Sequence, residues 1–158
     1  MDRIPITKEG LEMIKTELER LKTIERRAVV EAIKEARGHG DLSENAEYDA
    51  AKERQGMVEA KIAELESKLG KFEVIDTSNV KTDKVVFGVY VEIENVENEE
   101  IKKYRIVGPD ESDLSKGYIS VFSPVARALI GKKVGDIAVV NAPKGEIEYE
   151  IIKISVNG

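Results

Sequence analysis

The N-terminal half of the chain carries apolar residues at alternating steps of three and four positions. Two series show this spacing: Leu11, Ile14, Leu18 and Leu21, then Ile62, Leu65, Leu69 and Phe72. The spacing predicts two amphipathic helices over about 7–36 and 43–74, with Thr7 as the N-cap of the first. Each helix of about 30 residues would be about 45 Å long.

The two predicted helices match each other as an antiparallel pair. When the two series are paired in opposite directions, Leu11 pairs with Phe72 and Leu21 with Ile62. The midpoint of every pair in the sequence then lies between Asp41 and Leu42. Glycines of the Gly38-His39-Gly40 segment lie close to that centre, where the chain must turn. The sequence therefore predicts an antiparallel coiled-coil hairpin. Toward the turn, the expected seam residues are small or polar: Ala28, Ala32, Ala51 and Gln55.

After Asp76 the apolar residues alternate with a period of two, which is typical of strands. Strands are predicted at 85–94, 101–107, 118–122, 137–141 and 146–154. Ser123 and Pro124 have the residue types of an N-cap and first position of a short helix through Ile130. The fold class is therefore predicted as α+β, with a coiled-coil hairpin (1–76) followed by a small antiparallel β domain (77–158).

Composition narrows the possible chemistry. Charged residues make up 35% of the 158-residue chain, and long solvated helices account for this surplus. The net charge of -6 does not favour binding of duplex DNA or anionic membranes through bulk charge. Without cysteine and with a single histidine, His39, the chain can form no disulfide, thiolate nucleophile or ordinary zinc site. Because no apolar run approaches a bilayer span, we expect a cytoplasmic protein.

The predicted turn is rich in carboxylates. Between Gly38 and Ala51 the chain has four acidic residues and neither lysine nor arginine: Asp41, Glu44, Glu47 and Asp49. Carboxylate oxygens are natural ligands of Mg²⁺. The alternative is structural, because Asp41 as an N-cap and Glu44 three residues later match a capping box. The two roles are compatible.

Basic residues flank this acidic segment. Arg37 precedes it, and Lys52 and Arg54 follow it on the second predicted helix. They are either solvated helix charges or contacts for the phosphates of a nucleic acid. His39 has Asp41 and Ser43 as neighbours, which are the residue types of a catalytic triad. Residues so close in one turn seldom reach the geometry of a triad, so His39 is expected to cap a helix or to pack.

Two segments resemble a known family. EARGHGDLSENAEYDAAKERQG (35–56) resembles the tip signature of the bacterial Gre-family transcript cleavage factors, and SPVARALIGKKVGD (123–136) resembles their C-terminal signature. The resemblance covers essentially the whole chain, and the acidic composition is similar to the acidic branch of that family.

The resemblance implies a function at RNA polymerase. Such factors insert the coiled coil through the secondary channel, where tip acids help to hold the second catalytic Mg²⁺ of the polymerase. The matching acids are Asp41 and Glu44, so the factor would stimulate cleavage at the 3′ end of backtracked RNA without being a nuclease or binding metal alone. Arg37, Lys52 and Arg54 would then contact RNA.

The resemblance also implies how the protein docks. The C-terminal domain would have an FKBP-like fold that binds the rim of the secondary channel, with the contact near Ser123, Pro124 and Arg127. We expect a monomer.

Three alternatives remain open. An anti-cleavage homologue would block the channel, but consecutive acids are expected there, whereas Leu42 and Ser43 separate Asp41 from Glu44. A prolyl isomerase would need a deep aromatic pocket, and the chain has no tryptophan. A coiled-coil adaptor would use the tip acids only as helix caps.

Overall fold

A computed structural model describes residues 3–38 and 45–158 of the chain. Two compact units are present: Leu11–Phe72 forms one, and Met1–Gly10 together with Glu73–Gly158 forms the other. The described residues 3–10 thus group with the β unit, whereas the division predicted from the sequence assigns them to the hairpin. The predicted α+β architecture, a helical hairpin followed by a sheet, is confirmed.

The first half of the hairpin is one continuous helical run. It consists of α1 (Lys8–Arg20), a π turn (Leu21–Glu25) and α2 (Arg26–Arg37). Thr7 is its N-cap as predicted, because its hydroxyl accepts a hydrogen bond of 3.0 Å from the Gly10 amide.

The second helix is shorter than predicted. Helix α3 spans Ala46–Leu69 and ends at Gly70. Phe72–Val74 then form strand β2, which pairs with β1 (Ile4–Ile6), a strand that the sequence analysis did not predict. Phe72 is therefore a strand residue and not the seam partner of Leu11, because the low helix propensity of Gly70 favours an end to the helix before it.

The hairpin is antiparallel, and its interior is the predicted apolar seam. Buried residues come from both helices: Leu18, Leu21, Val29, Ile33, Ala51, Val58, Ile62 and Leu65. Ion pairs along the rim of the seam link the two helices at distances of 2.8, 2.8 and 2.5 Å: Lys22 with Glu66, Arg26 with Glu59, and Arg54 with Glu25. Because these pairs are largely exposed to solvent, each adds little to the stability of the hairpin.

The π turn shifts the seam of the first helical run by one residue. A heptad step of seven from Leu21 would reach Ala28, but Ala28 is exposed and the buried residue is Val29. The seam then continues regularly through Ile33 and Ala36. The prediction of Ala28 as a seam residue was wrong, because a π turn takes up one residue more than a regular α-helical turn.

The β unit contains a five-stranded sheet in the order β5-β4-β3-β7-β6. Its strands are β3 (Tyr90–Asn95), β4 (Ile101–Val107), β5 (Tyr118–Ser120), β6 (Ile137–Ala142) and β7 (Gly145–Ser155). The β3–β4, β3–β7 and β6–β7 pairs are antiparallel, but β4 and β5 are parallel. The sheet is therefore mixed and not purely antiparallel as predicted. Two 3₁₀ turns, Pro109–Glu111 and Leu114–Lys116, return the chain so that β5 runs in the direction of β4.

Strand β3 begins five residues later than predicted. Val85 and Val89 are completely buried, but Gly88 between them has a φ of 92°. A left-handed conformation interrupts an extended strand, and glycine adopts it readily. The apolar run from Val85 therefore packs into the core through a turn.

The short helix α4 (Pro124–Leu129) is present as predicted. The Ser123 hydroxyl caps it by accepting a hydrogen bond of 3.2 Å from the Ala126 amide. Ala126 and Leu129 are completely buried in the core of the β unit. This helix therefore holds its exposed residues at fixed places on the surface of the unit.

Glu111 attaches the N-terminal segment to the β unit. Its carboxylate accepts hydrogen bonds from the Thr7 amide (2.9 Å), the Thr7 hydroxyl and the Gly108 amide (2.8 Å). Thr7 is completely buried. Because Thr7 is also the N-cap of α1, the same carboxylate fixes the point at which the first helix begins.

The one-residue shift of the seam generates a matched pair of variants. We expect Val29→Asn to cost about 2–4 kcal/mol of hairpin stability, because it places an amide in an apolar seam. The neighbouring Ala28→Asn changes an exposed position and should cost less than about 1 kcal/mol, as expected from helix propensity. Urea unfolding of the full chain followed by far-ultraviolet circular dichroism measures both. An equal loss in the two variants would contradict the shifted seam.

Candidate functional site

The predicted acid pair lies in the part of the sequence that joins the two helices of the hairpin. Asp41 and Glu44, together with His39, lie outside the described residues 3–38 and 45–158. Within those ranges, no three histidine or acidic side chains form a group that could hold a metal ion. The described part of the site therefore consists of the two helix ends on either side of the acid pair.

Asn45 joins these two helix ends. Its side-chain oxygen accepts a hydrogen bond of 3.1 Å from the Tyr48 amide, which makes Asn45 the N-cap of α3. Its side-chain nitrogen donates a bond of 2.6 Å to the carbonyl of Ala36, near the end of α2. A single short side chain thus connects the end of α2 to the start of α3.

Asn45 is a site residue that the sequence analysis missed. The sequence predicts a helix that begins near residue 43, and the capping box that Asp41 and Glu44 could form lies outside the described residues. The helix instead begins at Ala46, so its N-cap is Asn45. The sequence contained a signal for this position, since asparagine is among the best N-cap residues and two acidic residues, Glu47 and Asp49, follow in the first turn.

The three predicted phosphate contacts are in different surroundings. Arg37 is exposed in the last turn of α2. Lys52 is exposed on α3, where its ammonium group donates a hydrogen bond of 3.0 Å to Gln55. The guanidinium of Arg54 is paired with Glu25, at 2.5 Å from Nη2 and 2.9 Å from Nε.

The Glu25–Arg54 pair connects the π turn to α3. The hydrogen bond from Arg54 is the main reason that the pKa of Glu25 lies below its ordinary value of 4.5. The positive charges of Arg54 and Arg20 lower this pKa further, and desolvation opposes them. The contact therefore favours the ionised carboxylate in the folded hairpin.

The predicted docking residues lie together on the β unit. Pro124 and Arg127 are exposed on α4, and the partly exposed Ser123 caps the helix. Two large apolar side chains nearby in the sequence are also exposed: Phe122 at 53% and Leu114 at 82%. Leu114 and Ser123 line one shallow groove with Tyr118 and Ser120. Apolar and basic side chains are thus available on one part of the unit.

Arg105 has a structural role that the sequence analysis did not identify. It is almost completely buried, and its Nε donates a hydrogen bond of 3.2 Å to the Gly88 carbonyl. Its guanidinium carbon lies 5.2 Å from the ring centre of Tyr90 and 5.6 Å from that of Tyr118. These cation–π contacts stabilise the buried charge.

The Glu25–Arg54 contact gives a prediction for acid unfolding. A folded-state pKa below 4.5 stabilises the hairpin above the unfolded pKa, and this stabilisation is lost as pH falls through the folded pKa. Glu25→Gln should therefore unfold at lower urea than the unmodified protein at pH 7, and the difference should shrink as the pH falls below 4.5 and through the folded-state pKa of Glu25. Arg54→Gln, which removes the other partner, should show the same pH dependence. A difference that is independent of pH would contradict the role of this ion pair.

None of the helices in the two described ranges combines enough length with enough apolar character to cross a membrane.

Comparison with known proteins covers both units. The family model "Transcription elongation factor, N-terminal" matches residues 4–74, and "Transcription elongation factor, GreA/GreB, C-term" matches residues 80–156. The chain is 55% identical over 158 residues to transcription elongation factor GreA of Nitratidesulfovibrio vulgaris, covering 100% of this chain and 98% of that protein. It is 58% identical over 152 residues to GreA of Ralstonia nicotianae, covering 96% of each chain.

A solved structure is also similar over the whole length. The crystal structure of GreA factor homolog 1 of Thermus thermophilus shares 26% identity with a TM-score of 0.44, covering 99% of each chain. The two family matches and the full-length identity to curated relatives carry the assignment. The chain belongs to the GreA/GreB family of transcription elongation factors.

Proposed function

We propose that this elongation factor stimulates RNA polymerase to cleave backtracked RNA by supplying Asp41 and Glu44 to the Mg²⁺ site of the polymerase. The observation that carries the proposal is a hairpin only two helices wide, with an acid pair in its turn. Helix α3 alone has 24 residues and is therefore about 36 Å long. So narrow and long an element suits insertion through the secondary channel to a buried active centre.

The chemistry of the acid pair fits this role. Mg²⁺ usually takes one or two carboxylates from a protein and keeps other positions for water and substrate phosphates. In two-metal phosphodiester cleavage, the metal ions stabilise the attacking and leaving oxygens. Asp41 and Glu44 would hold such an ion together with ligands from the polymerase. The factor would then act as part of a shared site and not as a nuclease.

The basic residues near the turn would help to hold the RNA. Arg37 and Lys52 are exposed near the helix ends that flank the turn, so they can reach phosphates of the nascent RNA 3′ end. Lysine at position 52 supplies charge without the two-pronged phosphate contact of arginine. Arg54 would have to leave Glu25 before it could contact RNA, so we expect it to contribute less.

Docking is assigned to the β unit. Pro124, Arg127 and Ser123 would contact the polymerase at the rim of the channel, with Phe122 as a neighbouring apolar contact. Aromatic and arginine side chains are common at the centres of protein interfaces. Because α4 packs on the core through buried residues, substitutions of its exposed residues should leave the fold intact.

The first functional prediction tests the acid pair. We expect Asp41→Asn and Glu44→Gln to lower the maximal rate of RNA cleavage by about a hundred- to thousandfold, because an amide is a much poorer Mg²⁺ ligand. The measurement is shortening of labelled RNA in a stalled polymerase complex at saturating factor. Both variants should still compete with the unmodified factor for polymerase. Asp49→Asn, an exposed acid in the first turn of α3, is the matched control and should stay active.

The assay also separates the remaining alternatives. An anti-cleavage homologue would inhibit the basal reaction, and an adaptor or isomerase would leave the RNA length unchanged. If either acid variant cleaves as fast as the unmodified factor, that acid is not a metal ligand.

The second functional prediction tests docking. We expect Arg127→Ala and Phe122→Ala to raise the factor concentration for half-maximal cleavage by about tenfold, as for typical interface contacts of about 1.4 kcal/mol. The maximal rate should be unchanged because the acids are untouched. Ile137→Ala, at an exposed position on β6, is the control for a general effect on the β unit. An unchanged half-maximal concentration in both variants would exclude this surface from docking.

A further inference from the structure

We propose that Asn45 is a positioning residue for the acid pair, and this inference rests on the proposed cleavage function. Asn45 directly follows Glu44 in the chain and makes hydrogen bonds to both helices of the hairpin. It would act through the placement of Asp41 and Glu44 and would contact neither metal nor RNA.

The two hydrogen bonds of Asn45 have firmly held partners. The Ala36 carbonyl belongs to a residue that is 2% exposed in the seam near the end of α2. The Tyr48 amide lies in the first turn of α3, and the Tyr48 side chain packs against the apolar core of the hairpin. Asn45 therefore connects two parts of the hairpin that packing already fixes.

The chain on the other side of the acid pair is fixed as well. The Gly38 amide donates to the carbonyls of Lys34 and Glu35, at 3.2 and 3.1 Å, and Gly38 is the C-cap of α2. The acid pair lies between Gly38 and Asn45, which are only seven positions apart in the sequence. Because the segment is short, a shift of Asn45 changes where the carboxylates can lie.

The residue type matches this task. The side chain at position 45 accepts a hydrogen bond from the Tyr48 amide with one atom and donates one to the Ala36 carbonyl with another. The side-chain amide of asparagine has both an acceptor oxygen and a donor nitrogen. Aspartate keeps the acceptor and lacks the donor. Serine can cap the helix, but its single oxygen is too short to reproduce the bond to Ala36. Substitution of Asn45 by aspartate or serine therefore keeps the capping bond to Tyr48 and removes the bond to Ala36.

The test compares three variants of the full-length factor in the stalled polymerase complex. Asn45→Ser and Asn45→Asp keep a cap on α3 and lose the bond to Ala36. We expect both to lower the maximal cleavage rate by about ten- to hundredfold, because misplacement by about 1 Å can have that effect on a catalytic group. The half-maximal factor concentration should stay unchanged, and a higher Mg²⁺ concentration should be needed for half-maximal rate.

Val58→Ala is the control for stability alone. Val58 is a buried seam residue away from the helix ends, so this variant weakens the hairpin without touching the Asn45 bonds. Urea unfolding identifies its loss of stability, and cleavage is measured well below the melting temperature of every variant. Amide hydrogen exchange at Tyr48 checks that Asn45→Ser retains the cap.

Each outcome decides the inference. It is supported if Asn45→Ser and Asn45→Asp lose maximal rate and Mg²⁺ affinity while Val58→Ala keeps both. It is overturned if the Asn45 variants cleave as fast as the unmodified factor while Asp41→Asn is inactive, which leaves the proposed function standing. It is also overturned if Val58→Ala loses as much rate, or if the unmodified factor fails to stimulate cleavage, which would overturn the proposed function too.

Discussion

The apolar seam between the helices is the constraint on which the hairpin depends. The buried apolar cluster among the described residues of the two helices comes from this seam. Most of the stability of a helix in a protein comes from the packing of its apolar face. The ion pairs at its rim are exposed and each adds little. The positions of the two helix ends that flank the acidic segment therefore depend on the packing of the seam.

The seam changes character toward the turn, and this change makes the Asn45 contact possible. Larger residues such as Leu18 and Leu65 fill the seam near its open end, whereas the buried residues near the turn include Ala36 and Ala51. Small side chains allow helix backbones to approach each other. The short side chain of Asn45 can then reach the Ala36 carbonyl across the hairpin at 2.6 Å. The small seam residues thus allow a hydrogen bond between Asn45 and the Ala36 carbonyl.

Sequence periodicity predicted the helices and their antiparallel pairing, but it missed features that depend on a single residue. Ala28 and Val29 are adjacent and both apolar, so a regular heptad from Leu21 predicts Ala28 in the seam. The step of eight residues from Leu21 to Val29 is the signal in the sequence for the shifted seam. Strands of three residues, such as Ile4–Ile6, are too short to show a period. The pairing of Arg54 with Glu25 depends on the register between two helices, which the sequence near Arg54 does not reveal, so the sequence predicts a phosphate contact or a solvated charge there.

At position 45 the proposed site needs a side chain that both donates and accepts a hydrogen bond and that carries no charge. A lysine or arginine could donate to the Ala36 carbonyl, but its positive charge next to Glu44 would compete with Mg²⁺ for the carboxylates. An aspartate could cap α3, but its carboxylate would face the Ala36 carbonyl and add a further negative charge beside the pair. Asparagine supplies a donor and an acceptor without a charge. In the proposed mechanism, no charge at position 45 therefore competes with the metal ion, while the helix ends on either side of the acidic segment are held in place.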